Sequence, residues 1–168
     1  AFFNMCRPLE LVFSNGYDKG ELVGVETGDV TKMETFEEFY NAYKKQMKYC
    51  IELLVNADNS IDVAHMERCP LPYLSSMVDD CIKRGKSVQE GGAIYNFTGP
   101  QGFGVANMAD SLYAIKKLVF DEKKVTLAEY KDALENNYGR GLSLERVEEL
   151  TREVIKKLEN DGHTIDAE

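Results

Sequence analysis

With 168 residues, of which 43% are hydrophobic and 29% charged, the chain can enclose one sizeable core, as ordinary globular proteins do. Its net charge of -9 argues against nucleic acid as a partner, because phosphate binding requires a basic surface. No apolar run approaches the roughly 20 residues of a membrane-spanning helix. The sequence also shows no basic segment followed by an apolar one, the pattern of a leader that would indicate secretion. We therefore expect a cytoplasmic protein with no membrane segment.

The cysteines give no indication of a metal site. They are widely spaced, and none belongs to the close pairs with which zinc sites usually begin. The two histidines do not lie beside a cysteine pair either. We predict that the thiols are reduced and mostly buried, and that the chain binds no metal. The four positions are Cys6, Cys50, Cys69 and Cys81.

The first third of the chain predicts two helices separated by a loop. Apolar residues have helical spacing over residues 1–14, and Pro8 predicts that this helix begins or kinks near that position. Residues 17–34 are rich in Gly, Asp and Thr and predict a loop. Thr35 and Glu38 form a capping box, which opens a long helix that continues to about Glu67.

The second half of that long helix carries polar side chains among apolar ones. Asp62 and His65 lie three residues apart and therefore share a face. An acid beside an imidazole can do general acid-base work, or the pair can satisfy neighbouring backbone groups, and the structural role is the favoured interpretation. After a break at 69–72, the spacing predicts another helix over residues 73–83.

The most distinctive stretch is Gly91 to Phe120. Its order predicts a strand at Ala93–Phe97, a turn containing Gly99, Gly102 and Gly104, and a helix from Val105 onward. A strand-to-helix connection needs glycine to turn, and loops that hold ligands against backbone have the same composition. The glycine spacing matches neither a P-loop nor a dinucleotide fingerprint.

The remaining residues predict two more helices, one capped by Thr126 and ending near Asn136, and one from Ser143 through Leu158. The fold class is therefore mainly α with one or two strands. A single strand at 93–97 would need partners outside the chain, which predicts a segment of a longer protein.

The stretch GGAIYNFTGPQGFGVANMADSLYAIKKLVF resembles a typical segment of the glycyl radical enzymes, the pyruvate formate-lyase-like family. The resemblance is to the branch that contains glycerol and diol dehydratases, hydroxyproline dehydratase and choline trimethylamine-lyase. Three further segments fit the same branch in colinear order: AFFNMCRPLELVFSNG, ADNSIDVAHMERCPLPYLSSMVDDCIKRGKS and LVFDEKKVTLAEYKDAL.

The resemblance implies a ten-stranded α/β barrel wrapped by helices, of which residues 1–168 would be one internal fragment. In the family, a glycyl radical generates a thiyl radical on a cysteine of a Gly-Cys-x-Glu motif, and an activating enzyme with S-adenosylmethionine and an iron–sulfur cluster installs the glycyl radical. The chain contains neither this motif nor the Arg-Val-x-Gly motif of the radical glycine. It should therefore hold no catalytic residue and be inactive alone.

The resemblance also suggests which residues face the substrate. Phe2 and Phe3 would follow the catalytic cysteine loop near the pocket, and alternate residues of the barrel strand, Tyr95 and Phe97, would share one face. Gln101 is the polar pocket candidate, while the turn glycines would be structural.

The implied activity is elimination of water from a small polyol or hydroxylated substrate. Cleavage of a carbon–nitrogen bond in choline is one alternative, and a non-catalytic helical scaffold or subunit is another. The implied partners are the rest of the barrel, the activating enzyme and a small molecule, and the complete protein is a candidate homodimer.

Overall fold

The computed structural model describes residues 1–136 together with Arg152 and Lys156. The predicted last helix, from Ser143 to Leu158, therefore lies outside the described residues except at those two positions. Elements in chain order are β1 (Phe2–Asn4), α1 (Arg7–Phe13), β2 (Tyr17–Asp18), β3 (Glu21–Leu22), a 3-10 helix (Val30–Lys32), α2 (Phe36–Arg68), α3 (Pro72–Met77), α4 (Cys81–Arg84), β4 (Gln101–Phe103), α5 (Val105–Ile115), a π-helical segment (Lys116–Asp121) and α6 (Leu127–Glu135).

The mainly helical prediction is confirmed for the described residues, although these contain four short strands in place of the predicted one or two. The two capping boxes form as the sequence indicates. At the start of α2 the Glu38 N–H donates to Thr35 Oγ1 at 3.2 Å, and the Glu38 carboxylate accepts from the Thr35 N–H at 3.3 Å. The same reciprocal pair, Thr126 and Glu129, opens α6. These bonds satisfy helix N–H groups that have no partner within the helix.

The core forms where α1 crosses the first half of α2. Phe13 of α1 contacts Phe39 of α2 and Tyr130 of α6, with ring centroids 5.6 Å apart in both pairs. Ile115 at the end of α5 is fully buried in the same cluster. Burial of each large apolar side chain contributes roughly 1.5–3 kcal/mol, so this cluster is what holds α1, α2, α5 and α6 together.

The predicted strand at Ala93–Phe97 is wrong. Those residues form bends and irregular backbone, and the strand lies instead at β4, within the glycine turn. Strand β4 pairs in parallel with β1, with Phe2 opposite Gln101. The partner of the strand thus lies inside the chain. The spacing of Phe2 and Met5 suggested helix, but pairing with a distant segment determines the conformation of β1.

Three other stretches differ from the prediction in detail. The loop at 17–34 contains the antiparallel pair of β2 and β3. The helix predicted at 73–83 is divided into α3 and α4, because Asp80 adopts a left-handed conformation at φ 71°. The helix that begins at Val105 changes to π geometry after Ile115.

The second half of α2 exposes apolar side chains, set among polar ones, on several sides of the helix. Its large apolar residues are spread around the helix circumference, with 39% to 50% of their surface exposed. Extended exposed apolar surface usually marks a face that other protein covers. The residues are Ile51, Leu53, Val55, Ile61, Val63 and Met66.

A fully buried glutamine fixes the loop before α2. Gln46 Oε1 accepts from the Val25 N–H at 3.1 Å, and Gln46 Nε2 donates to the carbonyls of Val25 at 2.6 Å and Leu11 at 3.4 Å. The Gln46 amide therefore bonds the backbone N–H and carbonyl of Val25, as a neighbouring strand would, and it also bonds the end of α1.

We predict that Gln46→Leu destabilises the protein by about 2–4 kcal/mol, because it leaves the N–H and the carbonyl of Val25 without partners in a closed site. The control is Asn41→Leu, on the same helix, whose amide bonds Glu37 at the surface. It should cost under about 0.5 kcal/mol. Urea unfolding measures both, and equal costs would contradict the role given to Gln46.

Candidate functional site

The strand pair brings together two of the residues that the resemblance placed near a pocket. Phe2 and Gln101 are register partners, and the Gln101 N–H donates to the carbonyl of Ala1 at 2.8 Å. Both side chains are exposed, that of Phe2 to 79%. Successive side chains of a strand point to opposite faces, so Phe3 lies on the other face, with Gly102 opposite.

The other two aromatic candidates lie on irregular backbone rather than on a strand. Tyr95 and Phe97 belong to a segment, residues 94–97, which we call the aromatic segment. Their exposed fractions are 81% and 85%, the highest among the large apolar residues described. Whether they line a pocket stays a prediction, as it does for Phe2, Phe3 and Gln101.

Two turn glycines lie very close to the start of the chain. A Cβ on Gly102 would meet Met5 Sδ at 3.1 Å, and one on Gly104 would meet Cys6 Sγ at 3.3 Å. Gly104 also has φ 77° at the N-cap of α5, and Gly99 has φ 61°. Larger residues would strain the backbone there or separate β4 from β1.

Asp62 and His65 share one side of α2, beside the aromatic segment. Thr98 Oγ1 donates to Asp62 Oδ2 at 3.2 Å. Asp62, His65 and Thr98 line a surface recess of about 200 Å³ together with Phe97. The observed bond favours the structural interpretation of Asp62, which anchors the chain just after the aromatic segment.

Sequence reasoning missed the group that holds the other end of this segment. Arg84 Nη1 donates to the carbonyls of Gly91 at 3.1 Å, Gly92 at 2.9 Å and Ala93 at 3.2 Å. The sequence gives one weak signal, an arginine at a helix end shortly before a Gly-Gly pair. That signal does not identify the acceptors, because three backbone carbonyls converge only in the folded turn.

The buried Tyr43 and the half-buried Cys50 both have raised pKa values. Tyr43 is 5% exposed, and burial, with smaller effects of Tyr40 and Cys6, raises its pKa to about 12. Burial also raises the pKa of the Cys50 thiol, although the charge of Arg7 opposes this. Neither group is ionised at neutral pH, and a protonated thiol is a poor nucleophile.

Among the residues described, no group of three or more His, Cys, Asp or Glu side chains is placed to hold a metal ion. Within the same part of the chain, no helix combines the length and the apolar character needed to cross a membrane.

Comparison with known proteins identifies the family. The family model described as pyruvate formate lyase-like matches residues 1–166. A solved structure concerning 1,2-propanediol dehydration in Roseburia inulinivorans is 62% identical, with a TM-score of 0.80, over 98% of this chain and 20% of that chain. The glycerol-bound form of the B12-independent glycerol dehydratase from Clostridium butyricum is 55% identical, with a TM-score of 0.78, over 82% of this chain and 17% of that chain.

A curated relative, trans-4-hydroxy-L-proline dehydratase from Clostridioides difficile, is 39% identical over 82% of this chain and 18% of its own length. The chain therefore belongs to the pyruvate formate lyase-like family of glycyl radical enzymes, which confirms the resemblance. It spans about a fifth of the length of the relatives that it matches.

Burial of the Tyr43 side chain predicts that the protein loses stability at alkaline pH. Its pKa is raised in the folded state, so its contribution is complete below pH 10 and is lost as the pH rises towards 12. A shift of this size corresponds to roughly 2–3 kcal/mol at most. We predict that Tyr43→Phe reduces the loss of stability between pH 10 and 12 in urea unfolding. Tyr73→Phe, at a position that is 76% exposed, is the control. An unchanged pH profile in Tyr43→Phe would contradict the assignment.

Gly92 and Gly102 allow a matched comparison, because neither has a positive φ. A Cβ on Gly92 would lie 2.2 Å from the Lys86 carbonyl oxygen, whereas on Gly102 it would meet the flexible end of Met5. We predict that Gly92→Ala costs at least about 2 kcal/mol, because backbone must move, and that Gly102→Ala costs under about 1 kcal/mol. Thermal unfolding measures both. The reverse order would show that the turn after α4 is not closed as described.

Proposed function

We propose that this chain is part of a glycyl radical lyase that eliminates water from a small diol or polyol. The observation that carries the proposal is the 62% identity, over 98% of the chain, to a structure concerned with 1,2-propanediol dehydration. The 55% identity to a glycerol-bound dehydratase points to the same size and polarity of substrate.

In this proposal the reacting groups lie outside the chain. A glycyl radical generates the cysteine thiyl radical, which abstracts a hydrogen atom from a hydroxyl-bearing carbon of the substrate. The glutamate of the same motif acts as the base while the neighbouring hydroxyl leaves as water. The radical is installed by an S-adenosylmethionine and iron–sulfur activating enzyme, under anaerobic conditions in the cytoplasm.

The chain itself would supply part of the pocket wall. Phe2, Tyr95 and Phe97 expose aromatic surface that can exclude water from radical intermediates. Gln101, the register partner of Phe2, carries an amide that can both donate to and accept from substrate hydroxyl groups. Phe3, on the opposite face of β1, would support the wall from behind.

The surface supports a larger barrel around this segment. Among the described residues, β1 and β4 form a sheet of only two strands, so their outer edges can pair with further strands. The apolar second half of α2 would be covered by the rest of the same protein, which we propose is a ten-stranded barrel and a homodimer. A non-catalytic helical scaffold would leave this apolar surface in water.

The proposal is tested with the complete protein that carries this segment, after anaerobic activation. We expect a glycyl radical signal in electron paramagnetic resonance and conversion of 1,2-propanediol to propanal or of glycerol to 3-hydroxypropanal. Release of trimethylamine from choline would establish the carbon–nitrogen alternative. A full radical signal without any product from these substrates would overturn the dehydratase proposal.

Gln101→Leu tests the contribution of this chain to the pocket. Loss of one hydrogen bond to a substrate hydroxyl corresponds to about tenfold in KM, and the radical signal should be unchanged. The control is Asn41→Leu, because the Asn41 amide bonds the Glu37 carboxylate at 3.3 Å on the surface of the first half of α2. A KM equal to that of the unmodified enzyme would remove Gln101 from the pocket.

A further inference from the structure

We propose that Arg84 is a positioning residue that sets the direction of the aromatic segment, residues 94–97, in the pocket. The proposal rests on the proposed function and deepens it. It concerns a residue that touches no reacting atom and acts on the substrate through Tyr95 and Phe97.

The geometry of Arg84 is that of a clamp on backbone. One nitrogen, Nη1, lies within 3.2 Å of the carbonyl oxygens of the three consecutive residues 91–93. The bond to Gly92 is partly buried and the other two are exposed, and hydrogen bonds from a charged donor are about twice as strong as neutral ones. Three adjacent carbonyls do not converge on one point in a strand, where they alternate in direction. The guanidinium therefore holds a bent conformation, and the bend explains why no strand forms at 93–97.

A simple helix cap does not account for this contact. A basic residue in the last turn usually interacts with the carbonyls of its own helix. Helix α4 ends at Arg84, and the acceptors lie seven to nine residues further along the chain. The contact joins the end of α4 to a later segment.

The turn between α4 and the clamp is closed by backbone bonds. The Lys86 N–H donates to the Cys81 carbonyl at 3.1 Å, and the Gly92 N–H donates to the Ser87 carbonyl at 2.8 Å. Gly92 is buried and has no room for a Cβ. Arg84 therefore clamps a closed turn, and the chain leaves that turn at Ala93 in a fixed direction.

Beyond the clamp, the aromatic segment is highly exposed until its second anchor. Ile94, Tyr95 and Phe97 are 64% to 85% exposed. The chain is then held by the bond from Thr98 to Asp62, and after it by the pairing of β4 with β1. The placement of the aromatic side chains thus depends on how well the two ends are fixed. Displacement of a pocket group by about 1 Å can cost on the order of 100-fold in rate.

The experiment uses the complete activated protein and three variants. Arg84→Gln removes the charge and shortens the side chain, so that no donor occupies the position of Nη1. Arg84→Lys keeps the charge but offers a compact ammonium in place of the planar guanidinium. Lys83→Gln removes the neighbouring charge, and Lys83 takes no part in the clamp. The readouts are hydrogen exchange of the amides of residues 91–98, the radical signal, and kcat and KM for 1,2-propanediol and glycerol.

We expect Arg84→Gln to raise the exchange of the Gly91 and Gly92 amides by at least about tenfold and to leave the rest of the chain unchanged, because these two amides donate to the Val88 and Ser87 carbonyls inside the clamped turn. We expect kcat/KM to fall by about 10- to 100-fold with the radical signal unchanged. Arg84→Lys should recover part of both effects, and Lys83→Gln should resemble the unmodified enzyme. Unchanged exchange in Arg84→Gln would overturn the proposal. So would a radical signal that falls in parallel with activity, because that result indicates general loss of structure.

The exchange measurement separates this proposal from the proposed function. If the activated protein converts neither diol, the dehydratase proposal fails, while a rise in exchange confined to the Gly91 and Gly92 amides still supports the clamp. If both diols are converted but Arg84→Gln leaves exchange, kcat and KM unchanged, the clamp fails and the proposed function stands. If Arg84→Gln does not fold, the same readouts on Arg84→Lys decide.

Discussion

The pairing of the first strand with a strand about a hundred positions later determines the arrangement of the described chain. The cysteine that follows β1 and the glycine that precedes α5 are 98 positions apart, and Cys6 Sγ lies 3.6 Å from the Gly104 carbonyl oxygen. Joining such distant segments costs loop-closure entropy, and three ladder residues cannot offset that cost alone. The core provides the rest, because α1 leaves β1 and α5 leaves β4 in directions that bring both helices against α2. The strand pair and the aromatic core therefore depend on each other, because each fixes the position of the segments that form the other.

Helix α2 has different surroundings along its length of roughly 50 Å. Its first half buries Phe39 and Gln46 completely against α1 and the preceding loop. Its second half exposes apolar side chains on several sides, although the helix continues without a break to Arg68. Exposed apolar surface of this kind usually marks a face that other protein covers. The relatives that the chain matches are about five times longer, so in the proposed enzyme further chain is available to cover it.

Local signals in the sequence predicted local structure well. The two capping boxes, at Thr35 and Thr126, gave the starts of α2 and α6, because their bonds join residues three positions apart. The strand was misplaced for the opposite reason. Ala93–Phe97 has the composition of a strand, but Arg84 bends the chain just before it and no neighbour pairs with it among the described residues. Gln101–Phe103 contains a glycine and looks like a turn, yet pairing with Phe2–Asn4 makes it a strand.

In the candidate site, too, some residues could be selected from the sequence, whereas a residue that acts through distant contacts could not. The resemblance to the family selected Phe2 and Gln101, and the structure makes them register partners. Arg84 was not selected, because nothing in its sequence surroundings specifies that a guanidinium meets three carbonyls seven to nine residues later. Residues that touch a ligand are often recognisable by type. Residues that set the direction of the backbone are recognisable only by the contacts that they make in the folded chain.

The raised pKa values of Tyr43 and Cys50 argue against a reacting centre at these two side chains. Burial is the main cause in both, so neither side chain is activated as a base or a nucleophile. Burial of Tyr43 also stabilises the fold, because its side chain belongs to the core cluster that holds α1 against the first half of α2.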